Sequence, residues 1–157
     1  MESAKQILLL DDNYESMKPL KDALEAVFGY SVTLTAAATL LPRLAKDHFD
    51  LLIVDQMIAP LSLDDQKQEV QNIHYEGVHW HHTGPEFVRR LRQGLYCAPD
   101  GGPDQTGTQP DVPVILLSAV ADSSMSQQTQ QSLQISAYME KPFDLEALHD
   151  IIEAIFS

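Results

Sequence analysis

The stretch DLLIVD at residues 50–55 holds four apolar residues in a row between two carboxylates. A strand that is buried on both faces of a sheet reads as such a continuous run, which is typical of parallel sheets. The run is also far too short to span a membrane. Residues 50–55 therefore predict a buried parallel strand that ends on the carboxylate of Asp55.

The segments on both sides of this strand alternate between strand and helix patterns. Residues 6–10 repeat the apolar run, whereas residues 14–28 carry apolar side chains at helical spacing. The other predicted strands are 31–35, 112–117 and 137–140, and the other predicted helices are 39–46, 85–93, 123–133 and 145–156. Alternation of this kind predicts an α/β fold, a doubly wound sheet of five parallel strands with helices on both faces.

The composition is that of one globular domain, which we expect to span residues 1–157. Hydrophobic residues make up 44% and charged residues 21% of the chain. Its 23 acidic residues outnumber 10 basic ones, and the formal net charge of −13 disfavours nucleic acid and membranes as partners. A divalent cation or a basic protein surface suits that charge better. Because Cys97 is the single cysteine and no signal-peptide pattern is visible, we expect a cytoplasmic protein.

Polar side chains follow the predicted strands, and the carboxyl ends of parallel strands meet at one edge of a sheet. They are Asp11, Asp12, Asp55, Ser118 and Lys141. Each residue alone fits a turn or a helix cap equally well. Three carboxylates together, however, would repel one another unless a hard cation such as Mg²⁺ joins them. One aspartate could then act as a nucleophile toward a phosphoryl group, whose oxygens a lysine and a hydroxyl would bind.

Four blocks of sequence together resemble the signature blocks of the receiver domain of two-component response regulators, the phospho-acceptor family that includes the chemotaxis regulators. They are residues 7–13 (ILLLDDN), 50–55 (DLLIVD), 114–119 (VILLSA) and 138–143 (YMEKPF). The resemblance extends from about residue 6 to residue 156. It implies a flavodoxin-like sheet with the strand order 2-1-3-4-5.

The resemblance implies roles for the residues at the strand ends. Asp55 would be the phosphorylation site, and Asp55, Ser118 and Lys141 would form the catalytic set. The implied ligands of the cofactor Mg²⁺ are Asp11, Asp12, Asp55 and the backbone carbonyl of Met57.

The resemblance also implies a conformational switch. After phosphorylation Ser118 would turn inward and Tyr138 would follow it, while the peptide bond before Pro142 would be cis. Met57 and Val120 lie at positions that flank the path of the hydrolytic water in this family. Both residues are apolar, so we expect slow self-dephosphorylation.

Two inserts depart from the family pattern, at about residues 58–83 (the first insert) and 94–111 (the second insert). Ser118 follows Asp55 by 63 residues, well above the gap usual in the family. The second insert is rich in Pro, Gly, Asp, Thr and Gln, and this composition is typical of a mobile loop. The first insert is either a lid or partner-docking loop or, as the sharper hypothesis, a zinc or other transition-metal site. Its histidines are His74, His79, His81 and His82.

The sequence thus predicts a stand-alone receiver, a signalling phospho-acceptor and not an enzyme with turnover, because the chain ends one residue after its last predicted helix. A histidine kinase or phosphotransfer protein would donate the phosphoryl group, and a downstream protein would recognise the switch. The sequence is also compatible with a homodimer that forms through the face of the last helices. The alternative is a pseudo-receiver, which binds proteins without phosphorylation. An aspartate-nucleophile phosphatase would need a second aspartate where this chain has Met57.

Overall fold

The computed structural model of the chain describes residues 4–64, 66–96, 107–118, 131–141 and 143–157. Its strands are β1 (Gln6–Leu10), β2 (Ser31–Leu34), β3 (Leu51–Asp55), β4 (Leu61–Leu63), β5 (Glu69–Gln71), β6 (Val114–Ser118) and β7 (Ala137–Glu140). Its helices are α1 (Tyr14–Phe28), α2 (Leu40–Arg43), α3 (Thr83–Arg92) and α4 (Leu145–Phe156), and a 3₁₀ turn covers Trp80–His82. Within the described ranges, no helix combines the length and the apolar character that a membrane span requires.

Five parallel strands form the main sheet in the order β2-β1-β3-β6-β7. This is the predicted order 2-1-3-4-5, and the doubly wound α/β fold is confirmed. The numbers differ because β4 and β5 pair separately as an antiparallel hairpin. The central strands β1, β3 and β6 are those predicted from continuous apolar runs, and in register Ile53 lies between Leu9 and Ile115.

Helices cover both faces of the main sheet, because successive side chains of a strand point to opposite sides. On one face, Leu8 and Leu10 of β1 pack with residues of α2 and α3. On the other face, Ile7 and Leu9 pack with residues of α1 and α4. Each face therefore has its own apolar core, and the carboxyl edge of the sheet stays free for polar side chains.

The start of α1 fixes the short turn that follows β1. The Asn13 side chain caps the helix by accepting a hydrogen bond from the Ser16 N–H at 3.1 Å. The Asn13 N–H in turn donates to Asp11 Oδ1 at 2.9 Å. The carboxylate of Asp11 is therefore held by the same residue that begins the helix.

The first insert is folded against the main sheet. After the hairpin of β4 and β5, Asn72 forms an antiparallel bridge with Ala37, and the Ile73 N–H donates to the Ala36 carbonyl at 2.8 Å. Ile73 and Ile58 are both fully buried in the core on the α2–α3 face. The sequence pattern predicted a loop, whereas these apolar residues give the insert a hairpin and a share of the core.

Residues 107 and 108, near the C-terminal end of the second insert, are also fixed in place. Thr108 is 2% exposed, and its hydroxyl donates to the Asp47 carbonyl at 2.7 Å and accepts from the Phe49 N–H at 3.1 Å. A Cβ on Gly107 would collide with the Ala45 carbonyl. This part of the insert is therefore packed, in contrast to the mobile loop that its composition predicted.

Other predictions differ from the structure or cannot be compared with it. The helix predicted over 39–46 is shortened to Leu40–Arg43, and tighter bonds follow, from the Leu44 N–H to the Leu41 carbonyl and from the Lys46 N–H to the Arg43 carbonyl. The predictions that fall outside the described residues concern 97–106, Val120, most of the predicted helix 123–133, and Pro142.

Candidate functional site

Asp11, Asp12 and Asp55 lie together at the carboxyl edge of the main sheet. Leu10 of β1 pairs with Val54 of β3, so Asp11 and Asp55, which follow them in the sequence, emerge side by side. One carboxylate oxygen from each of the three aspartates lies within 4.8 Å of the others. Asp11 is fully buried and Asp55 is 6% exposed. The sheet therefore brings together the three carboxylates that the sequence places at strand ends.

Lys141 supplies positive charge to these carboxylates. It follows β7, and its N–H donates to the Ser118 carbonyl at 2.6 Å. Its Nζ lies 2.8 Å from Asp11 Oδ2 and 3.4 Å from Asp55 Oδ2. Lys141 and the three carboxylates form the acidic pocket, in which negative charges outnumber the positive one.

The pKa values in the acidic pocket reflect this excess of negative charge. Burial foremost, and then the charge of Asp11, raise the pKa of Asp55 to about 7. Burial also raises the pKa of Asp12, although a hydrogen bond from the Ala59 N–H opposes the shift. Burial alone would lower the pKa of Lys141, but the charges of Asp11 and Asp55 outweigh it and raise that pKa. The pocket therefore favours the binding of a proton or a cation.

Backbone N–H groups of the loop after β3 orient two of the carboxylates. Asp12 Oδ2 accepts a hydrogen bond from the Ala59 N–H at 2.9 Å. Asp55 Oδ1 accepts from the Met57 N–H at 3.4 Å. Both donors belong to the loop that follows β3, so this one loop contacts carboxylates from two neighbouring strands.

The donor set of the acidic pocket fits Mg²⁺. Carboxylate oxygens are hard ligands, and Mg²⁺ binds through a few of them while it keeps several waters. Three carboxylates against one lysine leave negative charge that a divalent cation would offset. Met57, which the resemblance implies as a backbone ligand, is half-buried in the loop directly after Asp55.

Ser118 and Tyr138, the predicted switch residues, lie on the neighbouring strands β6 and β7. Ser118 is 2% exposed and follows Leu117, which pairs with Asp55 across the sheet. Tyr138 is half-buried and packs against the core on the α2–α3 face. Its hydroxyl is buried and has no hydrogen-bond partner among the described residues. Ser118 thus ends its strand beside the acidic pocket, and Tyr138 lies one strand further out.

Gly84 belongs to the site, although its place there was not predicted from the sequence. Its N–H donates to the Gln56 carbonyl at 3.0 Å. A Cβ at this position would collide with the Asp55 carbonyl oxygen and lie 2.8 Å from Gln56 Cα. Only glycine lets the start of α3 approach the end of β3 so closely. The available signal was a glycine directly before Pro85, the first residue of a predicted helix.

Asn72 of the first insert was missed as well. It is fully buried, and its Nδ2 donates to the Ala59 carbonyl oxygen at 2.9 Å. Because Ala59 donates to Asp12, a single residue separates Asn72 from the acidic pocket. A lone asparagine in a polar stretch gives no local signal of such a contact.

The histidines of the first insert do not assemble into a metal centre in the described part of the chain. His74 Nδ1 lies 3.1 Å from the Asn72 carbonyl, while the rings of His79 and His81 are 4.3 Å apart on the 3₁₀ turn and its flank. Among the described residues, the three aspartates of the acidic pocket are the group whose ligand atoms converge. The structure therefore gives the transition-metal hypothesis no support.

Solved structures of several proteins share this architecture. The chemotaxis protein CheY4 of Vibrio cholerae is 19% identical, with a TM-score of 0.63 over 98% of this chain and 99% of that one. A putative response regulator of Chloroflexus aurantiacus is 21% identical, with a TM-score of 0.65 over 98% of both chains. The signal receiver domain of an HD domain-containing protein of Pseudomonas fluorescens is 19% identical, with a TM-score of 0.66 over 98% and 95%. The chain has the response regulator receiver fold.

No family model matches the sequence, and no curated protein matches it. The similarity to receivers therefore lies in the arrangement of the strands and helices in space. Within that fold the acidic pocket lies beyond the carboxyl ends of β1 and β3, the edge at which doubly wound sheets bind their ligands.

Proposed function

We propose that the protein is a response regulator receiver that accepts a phosphoryl group on Asp55 in a reaction dependent on Mg²⁺. The observation that carries the proposal is the acidic pocket itself. A nearly buried Asp55 carboxylate lies beside two further carboxylates and within 3.4 Å of Lys141 Nζ, at the carboxyl edge of a receiver-fold sheet.

The residues of the acidic pocket suit a transfer from phosphohistidine. A carboxylate oxygen of Asp55 would attack phosphorus, the phosphorus–nitrogen bond would break, and the imidazole would leave with the electron pair and take up a proton. Lys141 would bind a phosphoryl oxygen, because its ammonium group already lies beside Asp55. Mg²⁺, when bound, would supply positive charge that keeps Asp55 ionised and offsets the charge of the phosphoryl oxygens. Asp11, Asp12, Asp55 and the Met57 carbonyl would hold it.

The donor would be a histidine kinase or a phosphotransfer protein, and a downstream protein would recognise the phosphorylated form. We therefore expect the protein in the cytoplasm, where kinases draw on ATP. Ser118 and Tyr138 would carry the signal from the pocket to that partner. The buried Tyr138 hydroxyl has no hydrogen-bond partner among the described residues, so its reorientation would break no such bond there.

The protein would not turn over phosphate esters as a phosphatase does. Met57, two residues after Asp55, offers no acid to protonate a leaving group or to orient water. The phosphorylated form should therefore decay slowly, and decay within seconds would contradict this part of the proposal.

Intact-mass measurement after incubation with Mg²⁺ and acetyl phosphate tests the proposal. We expect one phosphoryl adduct on the wild type and none on Asp55→Asn. Asp64→Asn, which changes a carboxylate in the turn between β4 and β5, should keep the adduct. A folded wild type that binds Mg²⁺ but acquires no adduct would refute phosphorylation and favour the pseudo-receiver.

A further inference from the structure

We propose that Asn72 is a positioning residue for the metal site. Its amide holds the loop after β3 so that the Ala59 N–H keeps Asp12 oriented toward a divalent cation. The inference rests on the Mg²⁺ site of the proposed function, and it assigns to the first insert a part in building that site.

The first link of the chain joins the loop to the acidic pocket. The Ala59 N–H donates to Asp12 Oδ2 at 2.9 Å, which is good hydrogen-bond geometry for an N–H and a carboxylate oxygen. Asp12 lies within the group of three converging carboxylates. The position of Ala59 therefore sets the direction in which one of these carboxylates points.

The second link joins Asn72 to the loop. Its Nδ2 donates to the Ala59 carbonyl oxygen at 2.9 Å and to Ser62 Oγ at 2.9 Å, and its backbone N–H donates to the Pro60 carbonyl at 2.8 Å. The Ala59 carbonyl can only accept a hydrogen bond, so the nitrogen of the amide must face it. Asn72 is fully buried, so bulk solvent does not reach these donors.

Asn72 is also supported from outside the loop that it holds. The bridge to Ala37 fixes its backbone, and the neighbouring Ile73 N–H donates to the Ala36 carbonyl at 2.8 Å. Ile73 is fully buried in the core on the α2–α3 face. Asn72 is therefore a rigid anchor from which hydrogen bonds run through Ala59 to Asp12.

Orientation of this kind matters for Mg²⁺ in particular. The ion demands nearly octahedral geometry at short distances, so a misdirected carboxylate is poorly tolerated. Hydrogen-bond partners that orient metal ligands are typically worth about 10- to 100-fold in metal affinity.

The dissociation constant for Mg²⁺ is the measurement that tests the inference. Calorimetry gives it directly, and the fluorescence of Trp80 gives a second reading, since the Ile58 N–H beside Ala59 donates to the Trp80 carbonyl at 3.2 Å. Asn72→Leu removes both side-chain donors at similar volume and should weaken Mg²⁺ binding about 10-fold. Ser62→Ala is the matched control. It removes only the contact to the hairpin and should leave the affinity unchanged.

A spectroscopic reading separates positioning from a general loss of structure. The backbone amide resonance of Ala59 should shift when Mg²⁺ binds to the wild type, and this shift should be lost or altered in Asn72→Leu while core resonances keep their places. Asn72→Ser, a smaller change that keeps one donor, serves if Asn72→Leu does not fold, and it should also weaken binding.

The outcomes are distinct. Unchanged Mg²⁺ affinity in a folded Asn72 variant overturns the inference, as does equal weakening in Ser62→Ala, because the hairpin as a whole would then be responsible. A wild type that binds no Mg²⁺ overturns both the inference and the metal site. Mg²⁺ binding that depends on Asn72 without phosphorylation of Asp55 supports the inference and refutes only the proposed phosphoryl transfer.

Discussion

The acidic pocket and the first insert share the loop after β3, yet they differ in how far their polar groups are compensated by partners. In the pocket, three carboxylates face one lysine, and the pKa of Asp55 is raised to about 7. In the first insert, the Tyr75 hydroxyl is hydrogen-bonded to the Tyr96 hydroxyl, and Arg90 lies 4.2 Å from the centre of the Tyr75 ring. Charge is left uncompensated where a ligand is expected, while neutral hydrogen bonds and ring contacts hold the insert in place.

The two regions also differ in what they bury. The pocket stands at the end of β3, whose residues are all buried. The hairpin of the first insert exposes Leu61 and Leu63 at 55% and 56%. The difference indicates that substitutions near the pocket should act through crowding and charge, whereas most of the hairpin should tolerate change.

The largest difference in stability is expected between the substitutions of two glycines by alanine. Gly84→Ala should destabilise the protein by about 3 kcal/mol, because the new Cβ would collide with the Asp55 carbonyl and push α3 away from β3. Gly77→Ala in the first insert has open space around the new methyl group but a φ of 81°, so only about 1 kcal/mol is expected. Urea unfolding measures both. Equal losses at the two positions would mean that the close approach at Gly84 carries no special cost.

The next largest effect is a dependence on pH. Because the folded-state pKa of Asp55 lies at about 7, above its ordinary value of 3.8, its ionisation costs stability as pH rises from about 4 to about 7. Asp55→Asn removes this cost. Without divalent metal, the variant should match the wild type near pH 4 and be more stable by about 2 kcal/mol at pH 8.

The exposed carboxylate of Glu69 on the hairpin is the control for that experiment. Glu69→Gln should change the unfolding free energy by no more than about 0.5 kcal/mol at either pH. An Asp55→Asn variant that is less stable than the wild type at pH 8 would contradict the excess of negative charge in the pocket.

A smaller difference in unfolding free energy is expected between two tyrosine substitutions. Tyr75→Phe removes the hydrogen bond to Tyr96 and should cost about 1 kcal/mol. Tyr138→Phe removes a hydroxyl with no hydrogen-bond partner among the described residues, and its effect should stay within about 0.5 kcal/mol. Thermal unfolding of both variants measures the two effects. A larger loss of stability for Tyr138→Phe would show that the Tyr138 hydroxyl already forms a hydrogen bond.

The smallest effects are expected on the hairpin itself. Leu61→Ser and Leu63→Ser should each change the unfolding free energy by less than about 0.5 kcal/mol, since both side chains are more than half exposed. A loss above about 1 kcal/mol, seen in urea unfolding, would mean that the hairpin is covered in solution.

Part of this structure can be predicted from short stretches of sequence. The apolar runs at residues 6–10 and 50–55 predict central strands, because burial on both faces requires apolar side chains at every position. The carboxylates that follow these runs converge in the structure, because the carboxyl ends of parallel strands meet at one edge. The strand order came from the resemblance to receivers and is confirmed.

Other features depend on contacts between residues far apart in the chain. The first insert reads as a loop because its hairpin strands are three residues each and carry no long apolar pattern. Asn72 acquires its place only when the core around Ile73 forms, and Gly84 is needed only because α3 meets β3. Such contacts leave no local periodicity to detect.

Short sequence patterns were thus enough to predict the parallel sheet and the set of polar residues at its edge, since strand burial and strand ends are local properties of the chain. The excess charge of the acidic pocket, the close approach at Gly84, and the hydrogen bonds from Asn72 to Asp12 follow from the packing of distant segments. Burial, distance and orientation arise between segments, so they exist only once the chain has folded.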